Sequence, residues 1–85
     1  NVTDMSKFIA PQPMILHGKL REIVNLEKVA TFTYLKASQE NYGYIRFSFD
    51  KGNDHAWIYS DDASMKNDLQ KIYELLELNW DEQAF

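Results

Sequence analysis

The sequence contains no cysteine, which removes disulfide frameworks, thiolate nucleophiles and cysteine-built metal sites from consideration. It has only three glycines and two prolines, so it is not a linker-rich or low-complexity chain. Both prolines, Pro11 and Pro13, fall in one short stretch and block regular structure there. Histidine is scarce as well. His17 and His55 are isolated from one another in sequence, and two separated histidines do not make a zinc site. No apolar run approaches the roughly 18 residues that span a bilayer. The expectation is a soluble cytoplasmic protein with no membrane partner and no cofactor.

What is present is an ordinary globular composition, 45% hydrophobic and 26% charged, in a chain of 85 residues. That length supports one hydrophobic core and therefore one domain. The net charge of −4 is unevenly placed. Residues 1–59 carry seven basic and six acidic side chains, whereas residues 60–85 carry two and seven. The acidity thus belongs to the C-terminal quarter, where it reads as the solvated face and end of a helix.

Residues 42–78 carry the clearest fold signal. In Tyr44-Ile45-Arg46-Phe47-Ser48-Phe49, side chains alternate between faces, so Ile45, Phe47 and Phe49 share one side and Tyr44, Arg46 and Ser48 the other. Residues 50–54 read as a hairpin loop with Gly52-Asn53 available for positive φ. In the following run, Ala56 and Ile58 are expected on the core side and His55, Trp57 and Tyr59 opposite. A helix is expected over residues 63–78, capped by Ser60, Asp61 or Asp62. Met65, Leu69, Ile72 and Leu76 form its apolar stripe, which should pack on Ile45, Phe47, Phe49 and Ile58.

Upstream, residues 1–13 read as an irregular arm, with Phe8 and Ile9 available to tuck against the core. Residues 14–26 read as a strand, because Gly18 and the β-branched Ile23-Val24 pair disfavour a helix; His17, Lys19 and Arg21 then point away from the core. Residues 29–35 are rich in β-formers, with Phe32 and Tyr34 inward and Thr31 and Thr33 outward. The expected fold is therefore α+β: a four-stranded antiparallel meander followed by one C-terminal amphipathic helix packed on one sheet face. The domain covers residues 14–79, and residues 80–85 form an acidic, aromatic tail.

Catalysis and metal binding find little support in this pattern. Asp54 and His55 are adjacent, and adjacent strand residues face opposite ways. Asp50, Asp54 and Asp61 match three positions of a calcium-loop template, but His55 stands where that loop requires glycine. A polar turn and a helix cap account for those residues. The expectation is a non-enzyme without a metal site.

The function is instead expected on the open sheet face. Tyr44, Arg46, Trp57 and Tyr59, with Lys19 and Arg21 nearby, are residue types that anchor protein interfaces. The first reading is a binding or regulatory module that associates with another protein or with itself, including as a homodimer. The alternative is single-stranded nucleic acid, with the rings stacking bases and Lys19, Arg21 and Arg46 holding phosphates. The ββββα order resembles that of Whirly-type and PUR-type single-strand-binding repeats, which would imply such a role, although none of their motifs occurs here. The acidic charge works against it. A third reading leaves the face covered by the arm or by Trp80 and Phe85 of the tail.

Overall fold

A computed structural model describes residues 7–16 and 18–82. Its centre is an antiparallel sheet in the order β5–β6–β7, formed by Val29–Leu35, Gly43–Phe49 and Asp54–Tyr59, with helix α1 (Asp62–Leu75) against one face. Four two-residue strands precede it: β1 (Phe8–Ile9), β2 (Ile15–Leu16), β3 (Lys19–Leu20) and β4 (Val24–Asn25). They pair with each other, β1 with β4 and β2 with β3, and not with the central sheet. The α+β class and the C-terminal helix agree with the sequence pattern. The single four-stranded meander does not form.

The departure lies in residues 14–26, expected as one strand. Gly18 adopts φ 77°, a left-handed conformation that reverses the chain. Ile15 then pairs with Leu20, and Leu16 with Lys19, as a small hairpin. Beyond it the chain runs irregularly through residues 21–23 before Val24 pairs with Ile9. The apolar alternation along this stretch marks which side chains are buried, but its continuity is broken by a turn.

The central sheet follows the alternation of its own residues. β5 pairs with β6 through Phe32 opposite Phe47 and Tyr34 opposite Ile45, which places all four on one face. Thr31 and Thr33 oppose Ser48 and Arg46 on the other. Gly43 begins β6 where the chain from β5 crosses closely: a Cβ there would lie 2.9 Å from both the Leu35 carbonyl and the Ala37 amide. The helix starts where Asp61 Oδ1 accepts from the Ser64 amide at 2.7 Å, as its N-cap position requires.

Met65, Leu69 and Ile72 of α1 are fully buried against Ile45 and Phe47. Ile9, Val24 and Leu26 close the core from the N-terminal side. Both segments therefore share the inner face of the sheet. The tail turns back along the helix: the Trp80 ring packs edge-on to Tyr73 at 5.0 Å, and Lys66 Nζ lies 2.8 Å from Glu82 Oε1. The Lys66 ammonium, with a smaller contribution from the nearby Trp80 indole, holds the Glu82 carboxyl below its ordinary range.

A candidate interaction surface along strand β7

The orientation of β7 decides which side chains this surface can use. Phe49 donates its amide to the Asn53 carbonyl at 2.8 Å, closing a tight loop in which Lys51 and Gly52 take φ values of 73° and 79°. Pairing then continues as Phe47 with His55, Ile45 with Trp57 and Gly43 with Tyr59. Directly paired residues share a face. Trp57 and Tyr59 therefore point inward with Ile45 and Phe47, and are only 2% and 1% exposed. Ile58 points outward and is 39% exposed.

This reverses the sequence expectation for β7. Trp57 and Tyr59 are core residues, and Ile58 belongs to the open face. The sequence Ala56-Trp57-Ile58-Tyr59 is apolar at every position, so alternation within it carries no polar contrast to select a face. The register is instead set by the three residues between Phe49 and Asn53.

Each inward ring has a specific setting. The Trp57 indole packs edge-on to Phe47 at 4.9 Å and donates from Nε1 to the Glu22 carbonyl at 2.8 Å. The Tyr59 hydroxyl donates to Asp68 Oδ2 at 2.6 Å, and the same oxygen accepts from the Gln12 amide at 3.1 Å. Burial, followed by the hydrogen bond to Asp68, pushes the Tyr59 hydroxyl well above the ordinary tyrosine range, against an opposing effect from Arg21. Arg21 is not an exposed phosphate ligand. Its guanidinium sits 4.6 Å from the Tyr59 ring centre and donates to the carbonyls of Pro13 and Ile58, each at 3.0 Å.

Tyr44 and Arg46 do lie on the outer face, with the guanidinium 5.8 Å from the ring centre. The register aligns Leu35, Tyr44 and Ile58 in one cross-strand row there. Leu35 is half exposed, so the row is an apolar stripe open to solvent. Neither the described part of the arm nor Trp80 lies over it, because Ile9 and Trp80 pack on the helix side. His17, expected on this face, and Phe85, expected as part of its cover, lie outside the described residues, as do residues 1–6.

The stripe meets a second feature at Ile58. Residues 19–22 run beside the free edge of β7 without backbone pairing to it, and a cleft of about 410 Å³ separates the two. Leu16, Leu20, Ala56 and Ile58 supply apolar walls, with exposed Lys19 at the rim. Three side-chain bonds span the gap: Arg21 to the Ile58 carbonyl, Trp57 to the Glu22 carbonyl, and His55 Nε2 to Glu22 Oε1 at 2.8 Å. Leu20 is 73% exposed, and its strand partner Ile15 is similarly open.

The sequence-selected residues thus divide. Tyr44 and Arg46 meet on the outer face, Lys19 marks the cleft rim, and Arg21, Trp57 and Tyr59 build the interior beneath it. Leu35, Ile58 and Leu20 were not selected, although a loop of odd length after Phe49 would have indicated the face of Ile58. Among the described residues no group of three or more His, Asp or Glu side chains is placed to hold a metal, and no helix is long and apolar enough to cross a membrane. No family model, curated protein or solved structure matches the chain.

Proposed function

We propose that the protein is a non-enzymatic binding module that associates with another polypeptide through the β7 side of its sheet. The observation that carries this reading is the continuity of the Leu35–Tyr44–Ile58 stripe with the apolar cleft at Ile58. Solvent-exposed apolar side chains gathered into one patch, with an arginine laid across a tyrosine, have the makeup of an interface centre. A second copy of the chain is one partner that the outer stripe fits.

The nucleic-acid alternative loses its stacking platform, since two of its three rings, Trp57 and Tyr59, are in the core. Tyr44 alone remains on the outer face, in a chain of net charge −4. Asp68 is buried away from the cleft with Tyr59, and His55 faces Glu22 at the edge of the sheet.

The test is photo-crosslinking from positions 44 and 58, with position 74 on the exposed helix face as the control and adducts identified by mass spectrometry. Discrete polypeptide adducts at 44 and 58, whether with a second copy or another chain, are expected and should be absent at 74. Adducts with nucleic acid, or equal labelling at all three positions, would refute the reading.

A further inference from the structure

Strand β7 is an edge strand, and its hydrogen-bonding polarity is fixed. The Phe49–Asn53 bond and the register place the N–H and C=O groups of His55, Trp57 and Tyr59 toward β6. Those of Ala56 and Ile58 therefore point away, into the cleft. The Ile58 carbonyl confirms the direction, because it accepts from Arg21 across the gap. Among the described residues the Ala56 N–H, the Ala56 carbonyl and the Ile58 N–H have no protein partner. An apolar ligand would bury these groups unsatisfied, whereas another backbone would satisfy them.

We propose that the cleft beside β7 is a strand-addition site for a single extended peptide segment of a partner protein. One peptide residue opposite Ala56 exchanges two backbone bonds with it, and the next contact is to the Ile58 N–H. Alternate peptide side chains pack between Leu20 and Ile58, and an acidic one reaches the Lys19 ammonium at the rim. The occupant is one strand and not the sheet of a second copy. Residues 19–22 wall the far side of the cleft, and a second copy brings the same wall beside its own β7, so two β7 edges cannot meet. The Arg21 and His55 struts bound the opening at Ile58 and His55, which limits pairing to a short segment of about 10 Å.

This inference rests on the reading of the protein as a polypeptide-binding module and identifies the form its partner takes. Its test uses a capped hexapeptide alternating valine and threonine with one glutamate, titrated into the 15N-labelled protein. The same peptide with its central amide N-methylated serves as a control, together with the variants Ala56→Pro and Glu74→Ala. Proline is tolerated on an edge strand where the N–H points outward, so Ala56→Pro removes the donor while keeping the β6 ladder. Binding should slow hydrogen exchange at the Ala56 and Ile58 amides. It should weaken about tenfold or more with the methylated peptide or with Ala56→Pro, and be unchanged in Glu74→Ala.

Should Ala56→Pro fail to fold, the methylated peptide makes the same comparison on the native protein. Equal affinity for the two peptides, unchanged exchange at Ala56 on saturation, or no binding up to millimolar peptide would each overturn the proposal. Polypeptide crosslinks at positions 44 and 58 alongside any of those results would leave the module reading standing and remove the strand-addition site.

Discussion

The hydroxyl of Tyr59 donates to Asp68 Oδ2 at 2.6 Å inside the core, with Asp68 fully buried. Among the described residues, the second oxygen of that carboxyl, Oδ1, has no hydrogen-bond partner. A single acidic side chain on α1 thus joins the helix to β7 and, through the Gln12 amide, to the N-terminal segment. Asp68→Ala is expected to destabilise the protein by about 2–4 kcal/mol, since it leaves the buried hydroxyl without an acceptor. Asp68→Asn keeps an acceptor and should cost less. Urea unfolding of the two variants makes the comparison.

The raised Tyr59 hydroxyl makes stability fall at alkaline pH. The folded state retains the proton at pH values where the unfolded chain, with an ordinary tyrosine near pH 10, releases it. The stabilisation is complete below about pH 10 and is lost as pH rises above it, by about 1.4 kcal/mol per pH unit for this one group. Tyr59→Phe should remove that part of the slope. Chemical denaturation across pH 9–11 would reveal it, and an identical slope in both proteins would contradict the assignment.

Helix α1 ends in a reversal normally built on glycine. The Glu77 amide donates to the Glu74 carbonyl at 3.1 Å and the Leu78 amide to the Tyr73 carbonyl at 2.8 Å, while Glu77 itself sits at φ 59°. A β-carbon is unfavourable in this conformation, and a negative charge beside a helix C-terminus adds to the cost. Glu77→Gly is expected to raise stability by about 1 kcal/mol, measured as a shift in the urea midpoint without a change in slope.

The two faces of the sheet should respond oppositely to the same change. Trp57→Ser and Tyr59→Ser remove buried rings and should each cost about 3–5 kcal/mol, enough together to unfold a domain of this size. Tyr44→Ser and Ile58→Ser act on the outer stripe and should cost less than about 1 kcal/mol. Circular dichroism of the four variants would decide the orientation of β7, with an unfolded Ile58→Ser protein as the contrary outcome.

Leu69→Ala should cost about 2–5 kcal/mol, because the side chain is fully buried between α1 and the sheet. That stripe was legible from spacing alone, as were the inward Phe32, Tyr34, Ile45 and Phe47. In each of these, polar and apolar residues alternate, and contrast assigns the face. β7 offers no such contrast, so its face follows only from the odd number of residues in the turn after Phe49, where Lys51 and Gly52 take positive φ. The stretch over residues 14–26 failed differently. Its apolar periodicity is genuine, but Gly18 supplies a reversal where a strand would also tolerate glycine. On the candidate surface, alternation with Ile45 and Phe47 puts Tyr44 and Arg46 on the outer face, while the cleft arises only because residues 19–22 stand off from β7.

The described residues from 7 to 28 share no backbone ladder with β5–β6–β7. Besides the packing of Ile9, Val24 and Leu26, they are held to the sheet and helix through Trp57, Arg21, His55 and Asp68. A layer attached in this way can detach as a cooperative unit at a free energy below that of global unfolding, while the sheet and helix persist. Such an opening removes the Glu22 acceptor from Trp57 and the Arg21 cover from Tyr59 in one event. The two rings that β7 turns inward are therefore separated from water by a sub-global fluctuation, and the amides of β4 should exchange with solvent before those of β6.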